Sequence, residues 1–376
     1  MDFALVEEEQ MLADVVGRFV DKEYGFEARR RLAATAQGWS DAHWSTLAEM
    51  GVLALNVPQE HGGLGAGPVE TMLVMEAFGR GLVVEPFLSS AVVGAKLIGR
   101  AGPEIRKADL LAGIAGGSVK TALATLEPGA RFDLWNVATE AEPIRGGYLL
   151  TGRKGVVLHG DSADVLLVSA RTSGERTDKQ GITLFAVDAR AQGVSVKGFP
   201  ALDGQRVAEV VLNRVRVDPR AIIGTVDHGY PLLEWTVDQG IFALCAEAVG
   251  AMSRLSDLTF EYLRTRKQFG SPIGKFQALQ HRAADILTAL EQAKSMVYFA
   301  AAKLGEDDAA AHRAVTAAKA LIGRSGRFIA QQAIQLHGGM GMTDELAVGW
   351  YVKRLTCIDM TWGNTEHHIE LYGAFL

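Results

Sequence analysis

The chain has 376 residues, 48% of them hydrophobic and 22% charged, enough to bury a large core and to divide into two or three domains. Its net charge of -6 and pI near 5.9 argue against nucleic acid as the main partner, so an anionic ligand must be met by locally placed basic groups. The start, MDFALVEEEQ, is acidic and lacks a basic stretch before an apolar one, and no run approaches about eighteen apolar residues, so a cytoplasmic protein with no membrane contact is expected.

From Phe3 to about Lys120, apolar residues recur at helical spacing with few β-branched clusters, which predicts a helical domain over 1–120. Arg80, in AFGRGLVVEP, falls near a helix end and is expected to cap carbonyls or pair on the surface. Arg29, Arg30 and Arg31, like Lys353 and Arg354 later, read as solvated faces or pairs between subunits. From Thr121 to about Val226, runs such as VLLVSA, ITLFAVDA, VSVKGF and EVVLNRVRV have strand length and are separated by Gly, Asp and Ser, predicting an antiparallel sheet domain over 121–226. Long Ala-rich helical stretches return from Tyr230, so 227–376 is expected to be a helical bundle. The fold class is α+β.

Two stretches near the C-terminus carry chemistry. Arg266, Lys267, Gln268 and Phe269 close a long helical pattern, with Gly270 expected as a left-handed helix cap, Pro272 as a stop and a new helix near Gly274. Such a break presents a guanidinium, an amide and an aromatic edge together, and an arginine fork matches a pyrophosphate in a bidentate way. Seventy residues on, QLHGGMGMTDEL from Gln335 to Leu346 reads as a helix running out into His337-Gly338-Gly339, where bare backbone N–H groups can approach a phosphate or ribityl chain. Cys245 and Cys357 sit in mainly apolar surroundings and read as core residues. With the histidines scattered, His367 and His368 included, no metal site is expected.

These two stretches, RKQFGSPIGKFQALQHRAAD and QLHGGMGMTDEL, resemble the acyl-CoA dehydrogenase family, and the resemblance runs along almost the whole chain. VPQEHGGLGAG at Val57–Gly67, LEPGARFD at Leu126–Asp133, GYLLTGRKGVVLHGDSADVLLV at Gly147–Val168 and LDGQRVAEVVLNRVRV at Leu202–Val217 are each similar to a family segment, in order. The resemblance implies a helical N-terminal domain, a central β domain and a C-terminal four-helix bundle. It also implies an FAD enzyme that oxidises an acyl-CoA to a trans-2-enoyl-CoA: a carboxylate base takes the α-proton while the β-hydrogen leaves as hydride to flavin N5. An electron-transfer flavoprotein as acceptor and a tetramer follow from the same resemblance. By position, Arg266, Gln268, Phe269 and Gln277 would hold the pyrophosphate and adenine side of FAD. Gln335, Gly338 and Gly339, with Asn364 and Glu366 in the tail, would line it, in the family usually for a neighbouring subunit.

Three departures stand out. The alignment places Trp362 on the family's usual catalytic glutamate, and an indole accepts no proton. Gly240 occupies the alternative position of the base. Seven residues on, Glu247 lies in IFALCAEAVGAM, where a lone carboxylate is costly to bury without purpose. Glu247 is therefore the candidate base, ahead of Asp359 and Glu366, with a salt-bridged helix residue as the competing reading. Leu126 and Val156-Val157-Leu158 replace residues that carry hydroxyls beside the flavin, and Phe132 replaces a serine near the coenzyme A. A narrower resemblance, to the small subunits of two-gene dehydrogenases of the pimeloyl-CoA type, rests on FEARRRLAATAQGW, GPVETMLVMEAFGRGLVVEPFLSS and the AEAVGAM helix. It implies a hetero-oligomer as the alternative to a homo-oligomer. Three readings follow: a dehydrogenase using Glu247, a non-catalytic subunit completing a partner's FAD site, and a related oxidase or desulfinase.

Overall fold

The computed structural model describes residues 5–375; Phe3, where the helical spacing begins, lies outside the described residues. In chain order come α1 (Glu7–Glu23), α2 (Phe26–Ala33), α3 (Asp41–Glu49), α4 (Pro68–Gly81), a π-helical stretch Leu88–Gly94 continued by α5 (Ala95–Ala101), and α6 (Glu104–Ala115). The sheet strands are β1 (Thr121–Ala124), β2 (Glu140–Ile144), β3 (Gly147–Leu158), β4 (Val165–Arg171), β5 (Ile182–Asp188), β6 (Val194–Pro200), β7 (Arg206–Val217) and β8 (Ile222–Ile223). The long helix α7 (Gly229–Thr265) leads to the short strands β9 (Lys267–Gln268) and β10 (Ser271–Pro272), then α8 (Gln277–Leu304), α9 (Asp308–His337), α10 (Val348–Met360) and α11 (Thr365–Gly373). The expected order of helical, sheet and helical domains is the observed one.

Contacts divide the chain into two units. The first takes the residues up to Arg31, Pro68–Val83 and everything from Ile241, and it is helical apart from the β9–β10 hairpin. Within it α4 and α7 approach each other closely. A β-carbon on Gly79 would lie 1.9 Å from the Glu247 carbonyl oxygen, and one on Gly250 would lie 1.9 Å from that of Glu76. Neither position admits a side chain.

The second unit, Leu32–Gly67 with Val84–Gly240, holds the sheet in the order β6-β7-β3-β2-β4-β5-β8, with β1 beside β4. The expectation of a purely antiparallel sheet is corrected: β1 runs parallel to β4 over Thr121–Ala124, and β2 meets β4 in parallel at Glu140 and Arg171. The β2–β3 hairpin intervenes between β1 and β4, so the chain returns to β4 in the direction of β1. Every residue of β4 is buried, as a strand covered on both faces requires. Ala122, Leu150, Val157, Leu166, Phe185 and Val210 form the centre of the sheet's core. Among the described residues no helix is long and apolar enough to cross a membrane.

Candidate functional site

The segment after α7 is built differently from the expectation. The chain does not cap a helix with Gly270; it turns back on itself, pairing Gln268 with Ser271 and Lys267 with Pro272. Phe269 (φ +52°) and Gly270 (φ +78°) both have left-handed backbones, the combination a two-residue type I′ hairpin turn requires. Self-pairing, rather than a cap, separates the two helices. The Ile273 N–H donates to the Arg266 carbonyl at 2.8 Å, and a single 3-10 turn over Ile273–Lys275 precedes α8, which begins at Gln277 rather than near Gly274.

This hairpin presents Arg266, Gln268 and Phe269 exposed, and Gln277 is exposed at the start of α8. Phe269 is 92% exposed and meets Phe276 edge-on at 6.0 Å. Gln280 steadies the turn by donating from Nε2 to the Gly274 carbonyl at 3.0 Å. At the end of α9, His337 is buried, with its ring 4.4 Å from that of Tyr262 on α7, and its Nδ1 donates to the Ala333 carbonyl at 2.8 Å. Burial lowers the pKa of His337, so the ring is neutral at physiological pH. This stacking seats the end of α9 against α7 about one turn before the hairpin. Gly338 (φ +61°) ends α9, and a β-carbon on Gly338 or Gly339 would meet nothing within 4 Å, so the backbone there is open, with Gln335 exposed beside it.

An exposed guanidinium, side-chain amides, an exposed aromatic ring and open glycine backbone suit the pyrophosphate and adenine of a dinucleotide. The segments of the sheet unit that the family places against the flavin ring offer less. Val156 is 55% exposed and Leu126 half-buried, and neither has a hydroxyl. Beside Leu126, the Glu127 carboxylate is fully engaged, accepting from Lys154 Nζ at 2.6 Å and from the backbone N–H groups of Ala138 and Thr139 at 2.7 and 3.0 Å. Lys154, which also donates to Ser169 at 3.1 Å, is pushed down to about 8 by burial. This pair is a structural anchor of LEPG on TGRKG. Only the presence of one glutamate and one lysine in these two motifs hints at it in the sequence.

In the tail, Asn364 caps α11, its side-chain oxygen accepting from the His367 N–H at 3.0 Å. Exposed Glu366 accepts from Arg327 at 3.4 Å, and Arg327 also donates to Asp359 at 3.0 Å. Asp359 takes two further hydrogen bonds, from the backbone N–H and the hydroxyl of Thr365 at 3.1 and 2.8 Å. Trp362 is buried in the turn between α10 and α11 with a left-handed backbone, φ +54°. Two residues that sequence reasoning missed hold this turn. Lys319, fully buried on α9, donates to the carbonyls of Ile358, Asp359 and Gly363 at 2.7 to 2.8 Å. His368 hydrogen-bonds the Trp362 carbonyl at 3.0 Å. The available signal was Lys319 standing on the apolar stripe of Val315, Ala318 and Ile322.

Burial and the nearby Lys319 push the His368 pKa down to about 3 from 6.5. Between these values the unfolded chain binds more protons, so stability falls as pH drops through about 6.5 toward 3. From about pH 7.5 to about pH 5 the expected loss is about 2 kcal/mol. Urea unfolding of wild type and His368→Gln at the two pH values checks this: the variant is expected to lack that increment.

Glu247 lies on α7 at 3% exposure, and both its oxygens accept from Arg354 on α10, from Nε and Nη2, each at 2.6 Å. Arg354 is 6% exposed, which corrects its reading as part of a solvated face: it shares the buried face of α10 with Tyr351, Leu355 and Ile358. Arg29 needs the same correction. It is 2% exposed, donates from Nε to the Leu82 carbonyl at 3.3 Å and lies 4.6 Å from the Trp350 ring. Arg30 does pair at the surface, with Glu27 at 2.9 Å, and Arg80 with Asp257 at 3.4 Å. Cys245 is buried and free, its thiol pushed up to about 12 by burial, and no metal-ligand cluster occurs among the described residues.

A helical unit carrying the RKQFG and LHGG segments and a sheet unit carrying the LEPG and TGRKG segments are the parts of a flavin-dependent dehydrogenase. Family models for the acyl-CoA dehydrogenase N-terminal, middle and C-terminal domains match residues 6–118, 122–215 and 227–376. The chain is 31% identical to a 3-(aryl)acrylate reductase of Clostridium sporogenes over 329 residues, 85% of this chain and 86% of that one. The ChsE4-ChsE5 complex of Mycobacterium tuberculosis superposes with TM-score 0.91 at 27% identity, covering 100% of this chain and 98% of the other. PigA with FAD and proline gives 0.91 at 26%, covering 100% and 99%. The chain belongs to the acyl-CoA dehydrogenase family, oxidoreductases acting on the CH–CH group of donors.

Proposed function

We propose that this chain is the non-catalytic subunit of a hetero-oligomeric, FAD-dependent acyl-CoA dehydrogenase, completing a flavin site whose base comes from a second, different chain. The observation that carries this reading is the Glu247–Arg354 pair. With Trp362 and Gly240 at the two positions where the family keeps its base, Glu247 is the leading candidate, and both its oxygens are occupied by a buried guanidinium; Asp359 and Glu366, ranked below it, are each paired with Arg327. Accepting a substrate proton would break a bidentate charge pair and strand Arg354 without water. A structural ion pair is the role that fits.

The flavin, when bound, would supply the hydride acceptor for the β-hydrogen of an acyl-CoA, while the base of the second chain would take the α-proton, leaving the trans-2-enoyl-CoA. Arg266, Gln268, Phe269 and Gln277 would hold the pyrophosphate and adenine side of FAD, the guanidinium through charge-assisted hydrogen bonds, and the open backbone at Gly338 and Gly339 would admit close approach, with Gln335 beside it. Asn364 and Glu366 serve the tail indirectly, one capping α11 and the other paired to Arg327. The missing hydroxyls at Leu126 and Val156–Leu158 leave this chain's own sheet a poor flavin seat, which supports one FAD per pair of unlike chains in an α2β2 tetramer. An electron-transfer flavoprotein is the proposed acceptor.

The test is the FAD-to-chain ratio, by absorbance and mass, for the chain alone and after co-expression with its genomic neighbour. Little flavin alone, rising to about half per chain with the partner, is expected. A ratio near one for the chain alone would mean a self-sufficient homo-oligomer.

A further inference from the structure

A half-enclosed cavity of about 260 Å³ opens in the helical unit among α1, α2, α4, α7 and α10, and three arginines line it: Arg29, Arg80 and Arg254. Its walls also include the apolar side chains of Val20, Phe26, Leu82 and Leu258, with Tyr24 and Tyr351, so the guanidinium groups stand in largely apolar surroundings. Arg29 is held rigidly by its bond to the Leu82 carbonyl and by the Trp350 ring. Arg254 hydrogen-bonds the Tyr351 hydroxyl, and that hydroxyl donates to the Arg80 carbonyl. All three guanidinium charges act on this one phenol.

The acidic groups nearby are Asp21, Asp257 and Glu76, the last acting on Arg80 but made harder to ionise by burial. Asp21 lines the cavity, and Asp257 touches Arg80 at 3.4 Å in a pair whose partners are 53% and 44% exposed. An exposed pair at that separation contributes little and opens readily. Three like charges around one concavity repel one another unless an anion sits between them, and planar guanidinium forks match the oxygens of carboxylate and phosphate. We propose that this cavity binds a small oxyanion, a carboxylate or a phosphate, through Arg29, Arg80 and Arg254. Its volume admits inorganic phosphate or a short dicarboxylate and excludes a dinucleotide or coenzyme A.

This site is distinct from the flavin clamp. Arg254 precedes Arg266 by about 18 Å along α7. It does adjoin the buried ion pair: Tyr351 is one turn from Arg354 on α10, and Arg254 is two turns from Glu247 on α7. A bound anion would therefore brace the same two helices that the pair joins, which makes stability the direct readout.

The full chain, alone and in its co-expressed complex, is titrated at low ionic strength with phosphate and separately with succinate, by calorimetry and thermal unfolding, with chloride at matched ionic strength as control. Saturable binding of at least one, with a rise in Tm that chloride does not reproduce, is expected. Phosphate alone active would assign a phosphate ligand, and succinate alone a carboxylate. Arg80→Gln and Arg254→Gln are each expected to weaken binding about tenfold while FAD content is unchanged. Equal stabilisation by chloride, no saturation with either anion, or undiminished binding in the Arg80→Gln/Arg254→Gln double variant would overturn the proposal.

Discussion

Glu247→Gln is expected to destabilise the protein by about 3–5 kcal/mol while leaving turnover per folded assembly close to wild type. The amide can still accept from Arg354, but it removes the negative charge and leaves a guanidinium of 6% exposure uncompensated. Breaking a buried pair from one side is costly for this reason, whereas removing both charges together is far less so. Glu247→Leu combined with Arg354→Leu is accordingly expected to recover most of the lost stability. Urea unfolding of the single and double variants, with turnover of the co-expressed enzyme, separates the two roles. A catalytic base predicts the reverse pattern: near-normal stability for Glu247→Gln, and a fall in turnover of about a hundredfold or more.

The competition between those two readings shows where the sequence is legible and where it stops. The helical and sheet segments follow from apolar periodicity, which is local, and their order in the fold is the expected one. Glu247 could be seen as a carboxylate in an apolar run for the same reason. Its partner could not be seen directly, because 107 residues of chain separate it from Arg354. A weaker signal existed: Tyr351, Arg354, Leu355 and Ile358 fall on one helical face, so the arginine stands on an apolar stripe as Lys319 does on α9. A charge on the buried stripe of one helix predicts an opposite charge, or a set of carbonyls, on another. Arg354 meets the first and Lys319 the second.

The hairpin after α7 failed for a different reason. Phe-Gly following a helix satisfies a helix cap and a type I′ turn equally well on local grounds. The choice was made by tertiary structure: Ile273 bonds to the Arg266 carbonyl, and Gly274 lies so close to α7 that a β-carbon would come within 2.9 Å of the Leu263 carbonyl oxygen. Arg266, Gln268, Phe269 and Gln277 were recognisable as a group by their order in the chain, but the hairpin that carries the first three was not.

Gly250→Ala should be among the most damaging single-methyl substitutions in the helical unit, although alanine is the better helix former by about 1 kcal/mol. The added β-carbon would lie 1.9 Å from the Glu76 carbonyl oxygen, 2.8 Å from its carbon and 3.0 Å from the Arg80 nitrogen. All three are backbone atoms, so no side-chain rotation relieves the clash and α4 must move away from α7. Gly79→Ala meets the mirror-image obstacle at the Glu247 carbonyl. A net loss of about 3 kcal/mol or more is expected for each, at the upper end of overpacking costs because helix must separate from helix. Gly17→Ala in α1 is the control: its β-carbon meets nothing within 4 Å, and propensity alone should stabilise it by about 0.5–1 kcal/mol. Thermal and urea unfolding of the three variants decides the matter. The separation of α4 from α7 would also displace Arg80 relative to Arg254 and Glu247, so Gly250→Ala is expected to lose both the anion response and part of the Glu247–Arg354 stabilisation, whereas Gly17→Ala keeps both.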